Sequence, residues 1–153
     1  MEIREVPPNA EYLINSLRSI GYQFKTAIAD IIDNSLSASA TEIDILFLWN
    51  NSDCEVTITD NGCGMSEEEL ILAMTFAGKN VKDNREKIDL GRFGLGLKSA
   101  SLSQARILSV YSKKNNKVSS FEWNLNKLEA LGDGVWALSK VEQIPYEFES
   151  LIT

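Results

Sequence analysis

Apolar positions recur along this chain with two different periods, and the switches between them predict where helices give way to strands. Tyr12, Leu13, Leu17 and Ile20 return at helical spacing between Asn9, a good capping residue, and Gly21, which suits the position just past a helix end. A second helix is predicted over about 23–38, where Ala27, Ile28, Ile31, Ile32 and Ser35 form the stripe that faces a core. Asp30, Asn34 and Ser37 share another face of that helix. The period then drops to two. Ile43 to Trp49 is dense in strand formers, and after a turn at Asn50 to Asp53, Cys54, Val56 and Ile58 alternate with Glu55, Thr57 and Thr59. This pattern predicts a hairpin with one buried face.

Ser66 followed three residues later by Glu69 matches a capping box, opening a helix through Leu70, Ile71 and Met74 to about Phe76. The polar run from Gly78 to Arg92 reads as a loop. A short helix is expected from Gly94 to about Ser103, followed by strands at Ile107 to Tyr111, Val118 to Trp123 and Val135 to Leu138. The first two of these strands are joined by a turn at Asn115 and Asn116. Helices on one side and a largely hairpin-connected sheet on the other predict an α+β fold, a two-layer sandwich.

At 153 residues, 44% apolar and 24% charged, the chain is expected to be one domain with a substantial core. Its formal net charge of −7 argues against direct nucleic-acid binding and against an anionic membrane surface. The start lacks the apolar run of a signal peptide and no segment approaches a membrane-spanning length, so a cytoplasmic location is expected. With no histidine and only Cys54 and Cys63, a Ser-His-Asp triad is excluded, and a zinc site or disulfide framework is unsupported.

Three segments carry candidate chemistry. Asp30 and Asn34 are four apart on one helix face, a pairing that suits Mg²⁺ ligation by the amide and orientation of a water by the carboxylate. Asp60 closes a strand and is followed by Gly62 and Gly64, so a carboxylate able to accept from an adenine amine stands beside residues that leave the ring unobstructed. Gly91, Gly94 and Gly96 precede a helix bearing Lys98, and unblocked amides at a helix N-terminus favour phosphate. The spacing is neither that of a Rossmann fingerprint nor that of a Walker loop. Taken singly, each segment also fits a plainer reading: a solvated helix face, an Asp satisfying the amides of its own turn, and a structural glycine turn.

Taken in order, the runs Ala27 to Ser35, Ile58 to Met65 and Gly91 to Ser99 resemble the GHKL ATPases, which include gyrase, the ninety-kilodalton heat-shock chaperone, histidine kinases, mismatch-repair ATPases and the MORC proteins. The texture is most similar to the MORC-like and chaperone-like branches. The resemblance implies a Bergerat fold, with helices on a mixed, mainly antiparallel sheet and an ATP lid. It implies ATP and Mg²⁺ as cofactors, and it implies Asn34 as metal ligand, Asp60 as adenine acceptor, Gly62 and Gly64 beside the base, and Met65 packed on it. Gly91, Phe93, Gly94 and Gly96 would form the phosphate loop, Lys98 and Lys79 would reach phosphates, and 78–90 takes the place of the lid. Asp30 is the implied catalytic base.

The chain departs from the family pattern in two respects. Asp30 stands where hydrolysing members commonly have Glu, a reach shorter by ~1.5 Å, and Ser37 and Ala38 replace an Asp-Ala pair. A following Gly-Thr strand and a transducer lysine are not found, so residues 1–153 are expected to be a single ATP-binding domain at the N-terminal end of a longer protein. The function expected is an ATPase module whose nucleotide state drives lid closure and conformational change or homodimerisation. An ATP or ADP sensor without appreciable hydrolysis and a protein-kinase ATP-binding domain are the alternatives.

Overall fold

A computed structural model describes residues 10–19, 21–51, 53–76, 96–131, 135–142 and 144. Helix α1 covers Ala10–Ser19 and α2 Phe24–Ser37. Strands β1 (Ile43–Asn50) and β2 (Asp53–Asp60) follow, then α3 (Glu67–Met74), α4 (Gly96–Gln104), β3 (Ile107–Lys114), β4 (Lys117–Asn124), α5 (Leu125–Leu131) and a short β5 (Ser139–Lys140). Pairing among the described residues is antiparallel throughout. β1 and β2 make one sheet, and β3, β4 and β5 make a second in that order. The α+β class is the one that the alternation of periods predicts. Asn9, Ile20 and the segment 78–90 lie outside the described residues.

The core sits on the three-stranded sheet. The register sets Leu108 opposite Trp123 and Val110 opposite Phe121, so one face of β3–β4 is apolar, and Leu70 and Met74 of α3 and Leu102 of α4 close over it. Ile14 of α1 and Leu125 and Leu128 of α5 complete the cluster. Polar groups at helix ends are satisfied inside this packing. Trp123 Nε1 donates to the Met74 carbonyl at 2.8 Å, at the C-terminus of α3 where intrahelical partners run out. Arg18 Nη1 reaches the Leu102 and Ala105 carbonyls at 2.7 and 2.5 Å, tying α1 to the end of α4. Asn115 and Asn116 both have positive φ, 52° and 60°, as a tight two-residue hairpin requires.

Three expectations are corrected. The β1–β2 hairpin carries Ile45, Phe47 and Trp49 on one face with Val56 and Ile58, and Leu46 and Leu48 on the other, but the first face is not buried: Phe47 is 49% and Trp49 80% exposed. Alternation selects which side chains share a face, whereas cover depends on what packs there, and the ring found beside Phe47 is Phe24 at the start of α2, 6.2 Å away. Residues 135–138 are not a strand; pairing to β4 begins at Ser139, opposite Glu122. Helix α5 was not expected. Asn124 Oδ1 caps it by accepting from Asn126 N and Lys127 N at 3.1 and 3.2 Å, and Leu125 and Leu128 are buried one turn apart, a capping signal legible in the sequence but hidden by the strand pattern before it.

The capping box of α3 forms as expected, with Ser66 and Glu69 each bonding the other's backbone N–H. Glu69 also receives Lys114 Nζ of β3 at 2.7 and 2.8 Å, which locks the helix start to the sheet. The Lys114 ammonium first, and the Ser66 N–H second, hold the Glu69 carboxyl down from its ordinary 4.5 to about 2. Because its folded value lies below its unfolded one, the stabilisation is complete above the unfolded value and is lost as pH falls through the folded one. Between pH 4.5 and 2 the melting temperature of the parent is therefore expected to fall more steeply than that of Glu69→Gln. Calorimetry across that range checks this, and the difference should shrink in high salt because the pair is exposed.

Candidate functional site

Helix α2 carries the first two candidates. Gln23 occupies its N-cap position without a side-chain cap, and the Gln23 carbonyl accepts from Thr26 N and Ala27 N at 2.9 and 3.0 Å. Ala27 and Ser35 are buried, while Asp30 and Asn34, one turn apart, are half-buried on an adjoining face. Tyr22, just ahead of the helix, donates its hydroxyl to Asp30 Oδ2. That bond, then burial and the negative charge of Asp30, push the Tyr22 phenol up to about 12. Asn34 Nδ2 is buried and has no hydrogen-bond partner among the described residues. A native structure rarely leaves such an amide unpaired unless something else is to meet it.

One residue further along, Ser35 Oγ donates to Asp60 Oδ2 at 2.8 Å. Asp60 Oδ1 accepts from Gly62 N at 2.9 Å, so the carboxylate is fixed from both sides while each oxygen keeps a further acceptor position. The turn after it is anchored on three sides. Cys63 N bonds Ala38 O at 3.0 Å at the end of α2, Asn61 Oδ1 accepts from Thr41 N and Glu42 N at 2.8 and 3.1 Å, and Met65 N reaches Ser112 Oγ of β3 at 2.7 Å. Both glycines are required by this approach. A Cβ on Gly62 would stand 2.7 Å from Ala38 Cβ, and one on Gly64, at φ +64°, would stand 2.0 Å from the Lys113 carbonyl oxygen. Met65 is half-buried against the main core cluster.

Gly96 opens α4, with open space where a side chain would project. Lys98, expected at a phosphate, is placed differently. It is 1% exposed, its ammonium donates to the Ala73 carbonyl at 2.5 Å near the end of α3, and it stands 5.9 Å from the Phe76 ring. Lys79, Gly91, Phe93 and Gly94 lie outside the described residues.

Asn34, Asp60, Gly62 and Gly64 are thus gathered around the end of α2, linked through Ser35 and Ala38, with Asp30 one turn before Asn34 on the same helix. Sequence reading assigned Ser35 to packing alone and passed over Tyr22. Tyr22 precedes the N-cap Gln23, outside the helical periodicity, so no local pattern pointed to it. A surface depression of about 400 Å³ bordered by Glu122, Lys127, Lys140, Val141 and Glu142 contains none of the expected site residues.

These residues fit a nucleotide with its metal. Asn34 Nδ2, a buried donor with no partner among the described residues, suits an acceptor such as a phosphate oxygen and leaves the amide oxygen for a cation, and Asp60 is fixed yet has acceptor capacity left. No group of three or more His, Cys, Asp or Glu among the described residues forms a metal cage, so a metal at Asn34 would draw most of its ligands from phosphate oxygens and water. No helix among the described residues is long and apolar enough to cross a membrane.

Known proteins are similar to this chain in sequence. Residues 22–153 match the family described as histidine kinase-, DNA gyrase B-, and HSP90-like ATPase. The chain is similar to the ATPase MORC2B of Mus musculus, 36% identical over 97 residues that cover 61% of this chain and 9% of that protein. It is similar to the chaperone protein HtpG of Wolbachia sp. subsp. Brugia malayi, 30% identical over 156 positions covering 94% of this chain and 22% of HtpG. The DNA mismatch repair protein MutL of Azorhizobium caulinodans is 27% identical over 125 residues, 80% of this chain and 19% of MutL. The chain thus spans between about a tenth and a quarter of the length of these relatives.

Gly64 is the backbone position on which the turn most depends. Gly64→Ala is expected to lower unfolding free energy by more than about 2 kcal/mol, because strain at positive φ adds to the clash with Lys113. Denaturant unfolding measures it, with Gly21→Ala, at φ +77° in open space, as the control for φ strain alone.

Proposed function

The chain belongs to the histidine kinase-, DNA gyrase B-, and HSP90-like ATPase family, and on that premise we propose that it binds ATP with Mg²⁺ at the end of α2 and hydrolyses it. The observation that carries this reading is the Ser35–Asp60 hydrogen bond, which joins the helix of Asp30 and Asn34 to the turn of Gly62 and Gly64 in one frame. Asp60 accepts the adenine amine, Gly62 and Gly64 let the base approach, and Met65 borders it. Asn34 ligates Mg²⁺, which when bound neutralises phosphate charge. Gly91, Phe93, Gly94 and Gly96 cradle the phosphates, with Lys79 and Lys98 as cationic partners. For Lys98 this requires release from the Ala73 carbonyl.

In the hydrolytic step Asp30 orients a water and takes its proton as the water oxygen bonds to the γ-phosphorus. The bond to the β–γ bridging oxygen breaks, leaving ADP and inorganic phosphate. Asp30 Oδ2 is occupied by Tyr22, and no hydrogen-bond partner is found for Oδ1 among the described residues, so one carboxylate oxygen is available to the water. With 78–90 in the place of a lid, nucleotide closes the site and drives conformational change or homodimerisation of a larger protein. Relatives named as a chaperone, a mismatch-repair protein and an ATPase share this module, which supports a coupling role. A second reading, a nucleotide sensor without turnover, is favoured by the short reach of Asp30 alone.

Saturating Mg-ATP at ~100 times its dissociation constant is expected to stabilise the folded protein by about 2.7 kcal/mol in a thermal-shift measurement. Asp60→Ala should abolish that gain; an unchanged shift in the variant excludes Asp60 as the base reader. In single-turnover assays Asp30→Ala should slow hydrolysis by roughly 10²–10⁴-fold while nucleotide still binds. ATP binding with no turnover in the parent establishes the sensor instead.

A further inference from the structure

We propose that Tyr22 is a positioning residue for hydrolysis, acting through Asp30 by fixing the orientation of its carboxylate; this rests on the catalytic role of Asp30 proposed above. The Tyr22 hydroxyl donates to Asp30 Oδ2. Both residues are half-buried, so water can reach them and the bond is not needed merely to satisfy a sealed carboxylate. It does something water cannot, which is to choose the rotation of the carboxylate plane. An aspartate on an open helix face otherwise samples several rotamers, and a base that must meet one water in line with a phosphoryl group loses rate for every misplaced orientation.

The phenol is well built for that task because it is held from outside α2. The Tyr22 carbonyl accepts from Gln104 Nε2 at 2.7 Å, and Gln104 Nε2 is in turn 3.0 Å from Ser103 Oγ, at the last turn of α4. The same helix end is gripped by Arg18 through the Leu102 and Ala105 carbonyls. Tyr22 therefore extends from a point fixed to α4, the helix that follows the glycine-rich loop, onto the carboxylate of α2. The orientation of the base is referred to the helix that follows the expected phosphate loop, not only to its own backbone. Using one oxygen for Tyr22 leaves the other for the water, so the contact arranges the base without blocking it.

The test compares the parent, Tyr22→Phe, Asp30→Ala and the double variant in the full-length protein. Steady-state hydrolysis is read alongside the dissociation constant of a non-hydrolysable ATP analogue and the proton NMR resonance of the hydrogen-bonded tyrosine hydroxyl. Tyr22→Phe is expected to lower kcat roughly ten- to hundred-fold with analogue affinity held within about two-fold. It should have no further effect once Asp30 is alanine, because the two act as one unit. The downfield hydroxyl resonance should be lost in Tyr22→Phe and in Asp30→Ala alike. An unchanged kcat in Tyr22→Phe, an equal loss in both backgrounds, or a loss traced to weakened analogue binding overturns the proposal while leaving the role of Asp30 intact. Full turnover in Asp30→Ala, or none in the parent, overturns the reading beneath it and removes the Tyr22 role with it.

Discussion

The site depends on how the Asp60 carboxylate is held. Ser35 Oγ grips one oxygen and Gly62 N the other, and through those two bonds the last turns of α2 and the end of β2 become a single rigid corner. The Ser35 bond is part-buried and the Gly62 bond exposed, so both act by fixing geometry more than by their energy. With the corner set, the chain from Asn61 to Met65 has little freedom. It passes close under Ala38 and then beneath the Lys113 carbonyl, where any side chain on Gly64 would collide. The turn is narrow because two layers meet there.

A second group of contacts keeps α3 and α4 in place behind that corner. Trp123 Nε1 and Lys98 Nζ satisfy the carbonyls of Met74 and Ala73 from opposite partners, a strand and a helix, so the frayed end of α3 is completed by tertiary contacts. At its other end the capping box is extended by Lys114 into a sheet contact. Phe76 and Trp136 stack edge-on around Trp123, with ring centroids 5.3 to 6.2 Å apart, and give the core an aromatic side below the site. Rigidity at both ends of α3 fixes where Met65 and the preceding glycines can lie.

Much of this was legible before any coordinates. The capping box at Ser66 and Glu69, the hairpin turn at Asn115 and Asn116, and the buried positions Ala27 and Ser35 all follow from local chemistry, because the residues that make each feature are neighbours in sequence. The features that escaped depend on distant partners. The exposed hairpin face of Phe47 and Trp49 has the alternation of a buried one; only its packing environment differs. Lys98 follows three glycines at a helix start, as a phosphate ligand would, yet its long chain turns back into the core to a carbonyl twenty-five residues earlier. Helix α5 was masked by the strand that runs directly into it.

By itself the sequence determined the α+β class, the helical phase that puts Asp30 and Asn34 on one face, and the capping box that opens α3. Each is a property of a short stretch of backbone, set by periodicity, capping and steric allowance within a few residues. Tertiary structure alone decided that Ser35 would bind Asp60, that Tyr22 would meet Asp30, that side chains at 62 and 64 would strike Ala38 and the Lys113 carbonyl, and that Asn34 Nδ2 would be buried with no partner among the described residues. Those outcomes turn on contacts between segments whose approach is fixed only when the core closes, and no local pattern encodes a separation of that kind.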